Sequence, residues 1–250
     1  MTNGAAGEHG ASMRQLALQL QLADYARFDS FYGGPNAAVL EAVRDASRSA
    51  GQQVNWIWGA TGSGRSHLLQ AAVAEAGEAG AVCAWLPLAS AELGPEMLDG
   101  MGRLDLLCVD DVDKVAGDPA WERALFGVFE ELRANSGRLL VTAAVPMSQA
   151  DFKLRDLASR LASGPTWRVR PMNEDECLQA LQLRSGWRGF ELPTEVGRLL
   201  LQRTERSNKA LFALLDTLDK AALAAQRKLT VPFVRALLEQ QMSPLRASKQ

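Results

Sequence analysis

The sequence is poor in the residues that build cross-links and metal cages. Three cysteines are spread over 250 residues, at positions 83, 108 and 177, each isolated and set in an apolar run. An odd, scattered set excludes a disulfide frame or a zinc site and predicts buried thiols in a reducing cytosol. Two histidines, His9 and His67, do not make a metal site either. No apolar run approaches the ~18 residues a membrane span needs. The N-terminus lacks the charged-then-apolar pattern of an export signal. A cytoplasmic location with no membrane partner is therefore expected. An excess of one charge is missing too: Lys and Arg number 27 against 29 Asp and Glu, a net charge of −2. A global basic field of the kind carried by most DNA-binding domains is thus excluded. What is present is a normal store of apolar residues, 47% against 22% charged, enough for a real core. The length allows one α/β domain with a small appendage, or two small domains.

Residues 1–14 are Gly, Ala, Ser and polar residues, a composition that predicts disorder. Residues 15–22 then alternate strictly, with leucine at 16, 18, 20 and 22 and Gln15, Ala17, Gln19 and Gln21 between, and Gly33-Gly34-Pro35 marks a break. Short apolar runs follow at 54–58, 81–88, 104–110, 138–143 and 166–170, with helical patterns over 66–76, 119–133 and 154–162 between them. Near-continuous apolar strands separated by helices predict a parallel sheet covered on both faces. After Pro171 only helical signals remain, over 174–187, 195–204, 208–226 and 231–241, the first opened by an Asn173/Glu176 capping box. The expected organisation is a tail over 1–24, an α/β domain over 25–171, a small all-helical domain over 172–241 and a frayed tail over 242–250.

The chemistry is concentrated in Gly59-Ala60-Thr61-Gly62-Ser63-Gly64-Arg65-Ser66. This matches the phosphate-loop template G-x-x-x-x-G-K-S/T except that Arg65 replaces Lys, and a strand precedes it while a helix follows, as the template requires. Gly59, Gly62 and Gly64 let backbone N–H groups turn toward phosphate, and the helix N-terminus adds a favourable dipole. Thr61 and Ser63 lie in the same loop, and Ser66 is placed to hold Mg²⁺. A second apolar run ends in Asp110-Asp111, where Asp110 would orient the Mg²⁺ water shell and Asp111 would polarise an attacking water.

GATGSGRSHLLQAA, LLCVDDVDKVAGD and LASRL together resemble the DnaA/Hda family of AAA+ proteins, from about Gln15 to Leu238. RGFELPTEVGRLLLQR and AQRKLTVPFVRALLEQ are similar to the family's short regulatory members rather than to its initiators. The resemblance implies an AAA+ P-loop αβα core with a five-stranded parallel sheet, a helical lid, and bound ADP (or ATP) with Mg²⁺. It also implies two partners, the initiator DnaA and the β sliding clamp of DNA polymerase III, with DNA reached only through the clamp. Gln15, Leu16, Leu18 and Leu20 are similar to the family's clamp-binding hexapeptide Q-L-x-L-x-L, although alternate leucines also describe an edge strand. Arg160 matches the family's arginine finger. Its alternative is an exposed helix arginine paired with Asp156 at i,i+4. Lys209 stands at the sensor-two position, where a lysine lacks the guanidinium fork.

Two departures shape the expectation. Arg65 stands for the loop lysine, and Ala144 stands where relatives carry a polar sensor. The expected protein keeps nucleotide as a structural ligand, hydrolyses it poorly, and through Arg160 stimulates hydrolysis of ATP on DnaA, preventing re-initiation of replication. The alternative is an autonomous AAA+ ATPase acting as initiator or helicase loader. Against that stand Arg65, Ala144 and the lack of a helix-turn-helix sequence after residue 250.

Overall fold

The computed structural model describes residues 26–48, 53–90, 93–203, 208–225 and 228–247. Five parallel strands form one sheet in the order β2-β3-β4-β1-β5. They are β1 (Val54–Gly59), β2 (Cys83–Pro87), β3 (Leu106–Asp110), β4 (Arg138–Ala143) and β5 (Thr166–Val169). Each falls on an apolar run of the sequence, β1 passing its end by one residue to Gly59, because strands covered on both faces need no polar alternation. Their register is fixed by pairs such as Ile57↔Thr142 and Val109↔Val141.

The strands sort their side chains by parity. Trp56, Leu107, Val109, Leu139 and Val141 turn to one face, in a cluster with Trp121, Leu125, Val128, Phe129 and Leu132. The last five share one stripe of α3 (Pro119–Ala134), which Asp118 caps by accepting from the amides of Ala120 and Trp121 at 2.8 and 3.2 Å. Burying each such side chain contributes about 1.5–3 kcal/mol. The helices α1 (Ala37–Arg48) and α2 (Arg65–Glu78) precede α3. The alanines Ala71, Ala72 and Ala76 of α2 are buried beside Leu68 and Leu69. Contacts with β1, β3 and β4 show that α2 lies close on the sheet, as its small side chains permit. One more short helix, α4 (Arg155–Leu161), begins a residue later than the sequence pattern suggests, with Leu154 as its N-cap.

The break between compact units falls between Arg170 and Pro171. Ser30–Pro35 groups with the helical second unit rather than with the sheet, against the expected extent of the α/β domain. Within that unit Tyr32 donates its hydroxyl hydrogen to Gln179 Oε1 at 2.5 Å, a link between residues 147 positions apart that local pattern cannot reveal. The unit holds α5 (Glu174–Trp187), α6 (Thr194–Arg203), α7 (Asn208–Ala225) and α8 (Val231–Ala247). The predicted capping box opens α5, with Asn173 and Glu176 bonded reciprocally. Leu181, Val196, Leu200, Leu211, Leu215, Leu218 and Val234 form its core. The last helix continues to Ala247 instead of ending before 242, and it does so through Pro244, which gives no backbone N–H to the helix. Among the described residues no helix is long and apolar enough to cross a membrane.

Candidate nucleotide site

The phosphate loop leaves β1 at a position only glycine can fill. A Cβ on Gly59 would stand 2.5 Å from the backbone oxygen of Val169 on the neighbouring strand. The chain then turns, with Ser63 N donating to Ala60 O at 3.1 Å. Gly62 and Gly64 take φ of 80° and 105°, in the left-handed region where a side chain is strained. Gly64 is the N-cap of α2 and supplies no side-chain cap. The first-turn amides of α2 therefore have no partner within the helix. Ser63 Oγ is buried in this loop without a hydrogen-bond partner. An orphaned hydroxyl and a glycine cradle at a helix N-terminus fit a phosphate group. Ala60 and Thr61 are the exposed members of the loop, and Ser66 is half-buried in the first turn of α2.

Arg65, which stands where the template has its lysine, turns its guanidinium onto its own chain. Its side chain is 7% exposed. Nη1 donates to Gly59 O at 2.5 Å and also to Ala143 O. Nη2 donates to Asp111 Oδ1 at 2.6 Å. The guanidinium thus ties the start of the loop, the end of β4 and the second acid after β3 into one knot.

Asp110 and Asp111 divide their roles as neighbours on a strand end must. Asp110 is buried, and the Thr142 hydroxyl donates to its Oδ1. The same hydroxyl accepts from Asp111 N at 2.9 Å. Asp111 sits at φ 56°, ψ 46°, a left-handed conformation that Asp tolerates better than most residues. Burial, then the charge of Asp110, push its carboxyl above the usual range, and Arg65 opposes them. Asp113 fills the polar gap left by Ala144, accepting from Ala144 N at 3.1 Å. Thr142 and Asp113 were not singled out from the sequence. A lone hydroxyl in the run RLLVTA, one step past the pair Val109↔Val141, is the signal that could have found Thr142.

Arg160 lies on α4, its side chain 43% exposed, with Nε 3.0 Å from Glu130 Oε1 on α3. Glu130, not Asp156, is its partner, and the second Glu130 oxygen accepts from Arg133 at 2.7 Å. Leu157 and Leu161 anchor the helix from beneath. Its approach is held by Glu122, a carboxylate 1% exposed that accepts from Gly117 N at 2.7 Å, Lys153 N at 3.0 Å and Leu154 N at 2.6 Å. Arg168 lies elsewhere, stacked over Trp58 at 5.0 Å. His67 Nε2 is 3.0 Å from Arg27 O. Lys209 is the second residue of α7, and its side chain lies outside the described residues, as do Gln15, Leu16, Leu18 and Leu20. Among the described residues no cluster of His, Cys, Asp and Glu could hold a metal by itself. Any Mg²⁺ here would need phosphate oxygens beside Ser66 and Asp110.

Residues 174–238 match the family model described as the lid domain of Hda. The fold is similar to domain III of the Thermotoga maritima replication initiation protein DnaA, with TM-score 0.71 and 19% identity, over 88% of this chain and 98% of that one. It is also similar to AMPPCP-bound DnaA from Aquifex aeolicus, with TM-score 0.65 and 21% identity, over 79% of this chain and 66% of that one. The Thermotoga maritima Holliday junction branch migration motor RuvB follows at TM-score 0.58 and 14% identity, over 83% of this chain and 67% of that one. These likenesses establish an AAA+ core with a helical lid.

Proposed function

Because the chain belongs to the Hda/DnaA family of AAA+ proteins, by its lid and its core fold, we propose that it switches off the replication initiator DnaA. In this reading the loop from Gly59 to Ser66 holds ADP (or ATP), and Ser66 and Asp110 hold Mg²⁺. Residues 15–20 tether the chain to the β sliding clamp of DNA polymerase III, and the clamp alone brings DNA. Arg160 is then delivered to the ATP bound by DnaA. Its guanidinium neutralises charge that spreads over the γ-phosphoryl oxygens in a loose transition state, an effect of about 10³–10⁵ in rate in other arginine-finger systems. The hydrolysis belongs to DnaA, and this chain activates it.

The observation that carries the reading is the contrast between two arginines. Arg65 is 7% exposed and bonded to three acceptors inside its own site, while Arg160 is 43% exposed and leans on one carboxylate at the surface. One cation is committed inward and the other is available to a neighbour. A second reading, an autonomous ATPase, draws on the presence of both Asp110 and Asp111 at the end of β3. The test is hydrolysis of DnaA-bound ATP with DNA-loaded clamp, with and without this chain. We expect strong stimulation that Arg160→Ala removes while ADP binding and melting temperature stay near those of the unaltered chain. Full stimulation by Arg160→Ala would refute the finger. Rapid turnover by the chain alone would establish the second reading.

A further inference from the structure

We propose that Arg65 is the counter-ion of Asp111 rather than a ligand of a terminal phosphate, forming a lock that selects diphosphate over triphosphate and holds the chain's own hydrolysis down. The inference rests on the reading of residues 59–66 as a nucleotide site, and on no part of the clamp or DnaA reading.

The geometry limits what Arg65 can do. A guanidinium offers five N–H donors in a rigid fork. Three of them already meet Gly59 O, Ala143 O and Asp111 Oδ1, and the side chain is almost wholly buried. Any shift of the buried guanidinium toward a γ-phosphate would loosen these bonds, the one to Asp111 among them. The shift would draw the cation away from Asp111, with Asp110 next to it and a further anion arriving. A buried pair broken from one side leaves an uncompensated charge, which is strongly destabilising. A diphosphate makes no such demand. Its oxygens meet the loop amides, the helix N-terminus and the orphaned Ser63 hydroxyl, while the lock stays closed.

The lock also acts on Asp111 as a base. One of its oxygens is engaged by Arg65, its backbone N–H by Thr142, and its backbone is pinned in the left-handed region. A carboxylate so held cannot swing to take a proton from water, and general-base catalysis needs the base within hydrogen-bond reach of that proton. A lysine at the same position is a compact point charge without the fork. Its three donors leave from one nitrogen, so it spans Gly59 O, Ala143 O and Asp111 less well than two guanidinium nitrogens do.

The test compares Arg65→Lys, Asp111→Asn and the double variant in the full chain. Asparagine tolerates the left-handed backbone, and its amide oxygen can still accept from Arg65 as a neutral partner, so Asp111→Asn removes the charge of the pair and spares the backbone. The readout is the ratio of dissociation constants for the Mg²⁺ complexes of a non-hydrolysable ATP analogue and ADP. Single-turnover ATP hydrolysis is measured alongside. The unaltered chain should prefer ADP. Either single variant should reduce that preference by about tenfold, equivalent to ~1.4 kcal/mol. The double variant should reduce it no further, because both substitutions open the same lock. Arg65→Lys should also hydrolyse ATP faster than the unaltered chain, and Asp111→Asn should not. An unchanged ratio in both single variants would overturn the proposal. So would an Arg65→Lys chain that loses ADP and the ATP analogue equally, the behaviour of a plain phosphate ligand, or additive effects in the double variant. Neither clamp nor DnaA enters these assays, so failure here leaves the Arg160 finger standing, and failure of the finger leaves the lock.

Discussion

Removing the Glu122 carboxylate should disorder the approach to Arg160 without touching either the phosphate loop or Arg160 itself. Glu122 is on the core-facing stripe of α3, 1% exposed, and it accepts from three backbone amides, Gly117, Lys153 and Leu154, at 2.6–3.0 Å. Two of those donors lead directly into α4, where Leu154 is the N-cap and Arg160 the sixth residue. In Glu122→Ala all three amides lose their acceptor in a place water enters poorly. Each orphaned donor costs about 1–3 kcal/mol. Partial rehydration of the Lys153–Leu154 turn favours the low end, so the total is roughly 3–4 kcal/mol. For a chain of this size each kcal/mol lowers the melting temperature by about 2–4 °C, which predicts a fall of roughly 6–16 °C. Glu122→Gln should lose less, because one oxygen remains, but its amide N–H₂ would face backbone donors. Calorimetric or circular-dichroism melting measures the stability. DnaA-ATP hydrolysis, run well below the transition, measures the delivery of Arg160. A Glu122→Ala chain that melts within about 2 °C of the unaltered one, less than a single orphaned donor is worth, would refute the reasoning.

Thr142→Val keeps the shape of the strand but removes the hydroxyl shared by Asp110 and the Asp111 amide. It should lower the melting temperature by several degrees, roughly 1–3 kcal/mol, and weaken the Mg²⁺ dependence of ADP affinity, read by titration calorimetry with and without the ion. A Mg²⁺ dependence unchanged from that of the unaltered chain would separate Asp110 from the metal. Gln15→Ala with Leu20→Ala should abolish retention on immobilised clamp while leaving the melting curve in place, since the pair precedes the core. Unchanged retention would sink the tether, and a large fall in melting temperature would indicate an edge strand instead. Arg160→Lys should restore little of the stimulation lost in Arg160→Ala, because a point charge lacks the fork. Arg155→Ala and Arg168→Ala should lose less than Arg160→Ala, and an equal loss from all three would point to bulk charge rather than a finger.

What the sequence made legible follows from range. Strand runs, the glycine spacing of the phosphate loop, the Asp110-Asp111 ending and the Asn173/Glu176 box are decided by neighbours within a few residues, and the structure has each of them. What stayed hidden is polar and long-range. Glu122 reads as an ordinary helix glutamate until Lys153 comes back to it across 31 positions. Thr142 reads as one hydroxyl in an apolar strand until β3 lies beside β4 and brings Asp110 to it. Arg184, in the lid, reads as a solvent-facing arginine on a polar stretch. It is in fact 2% exposed, within 3.3 Å of Asp216 and 4.6 Å over the ring of Phe212.

Arg65 and Arg160 show the same limit in the functional residues. The template identified Arg65 as a substitution but says nothing of the partners it finds. An arginine reaches further than a lysine and has more donors to satisfy, and burial obliges a polar group to find partners. Asp111, 46 positions away, supplies the charged one. The i,i+4 rule likewise offered Asp156 to Arg160, yet the partner is Glu130 on another helix. In both cases residue type called for an acceptor, and only the packing of β3, β4 and α3 decided which and how many. The residue identities therefore predict that a nucleotide is held. Which phosphate form is held, and whether it is consumed, depends on where one buried guanidinium finds its acceptors.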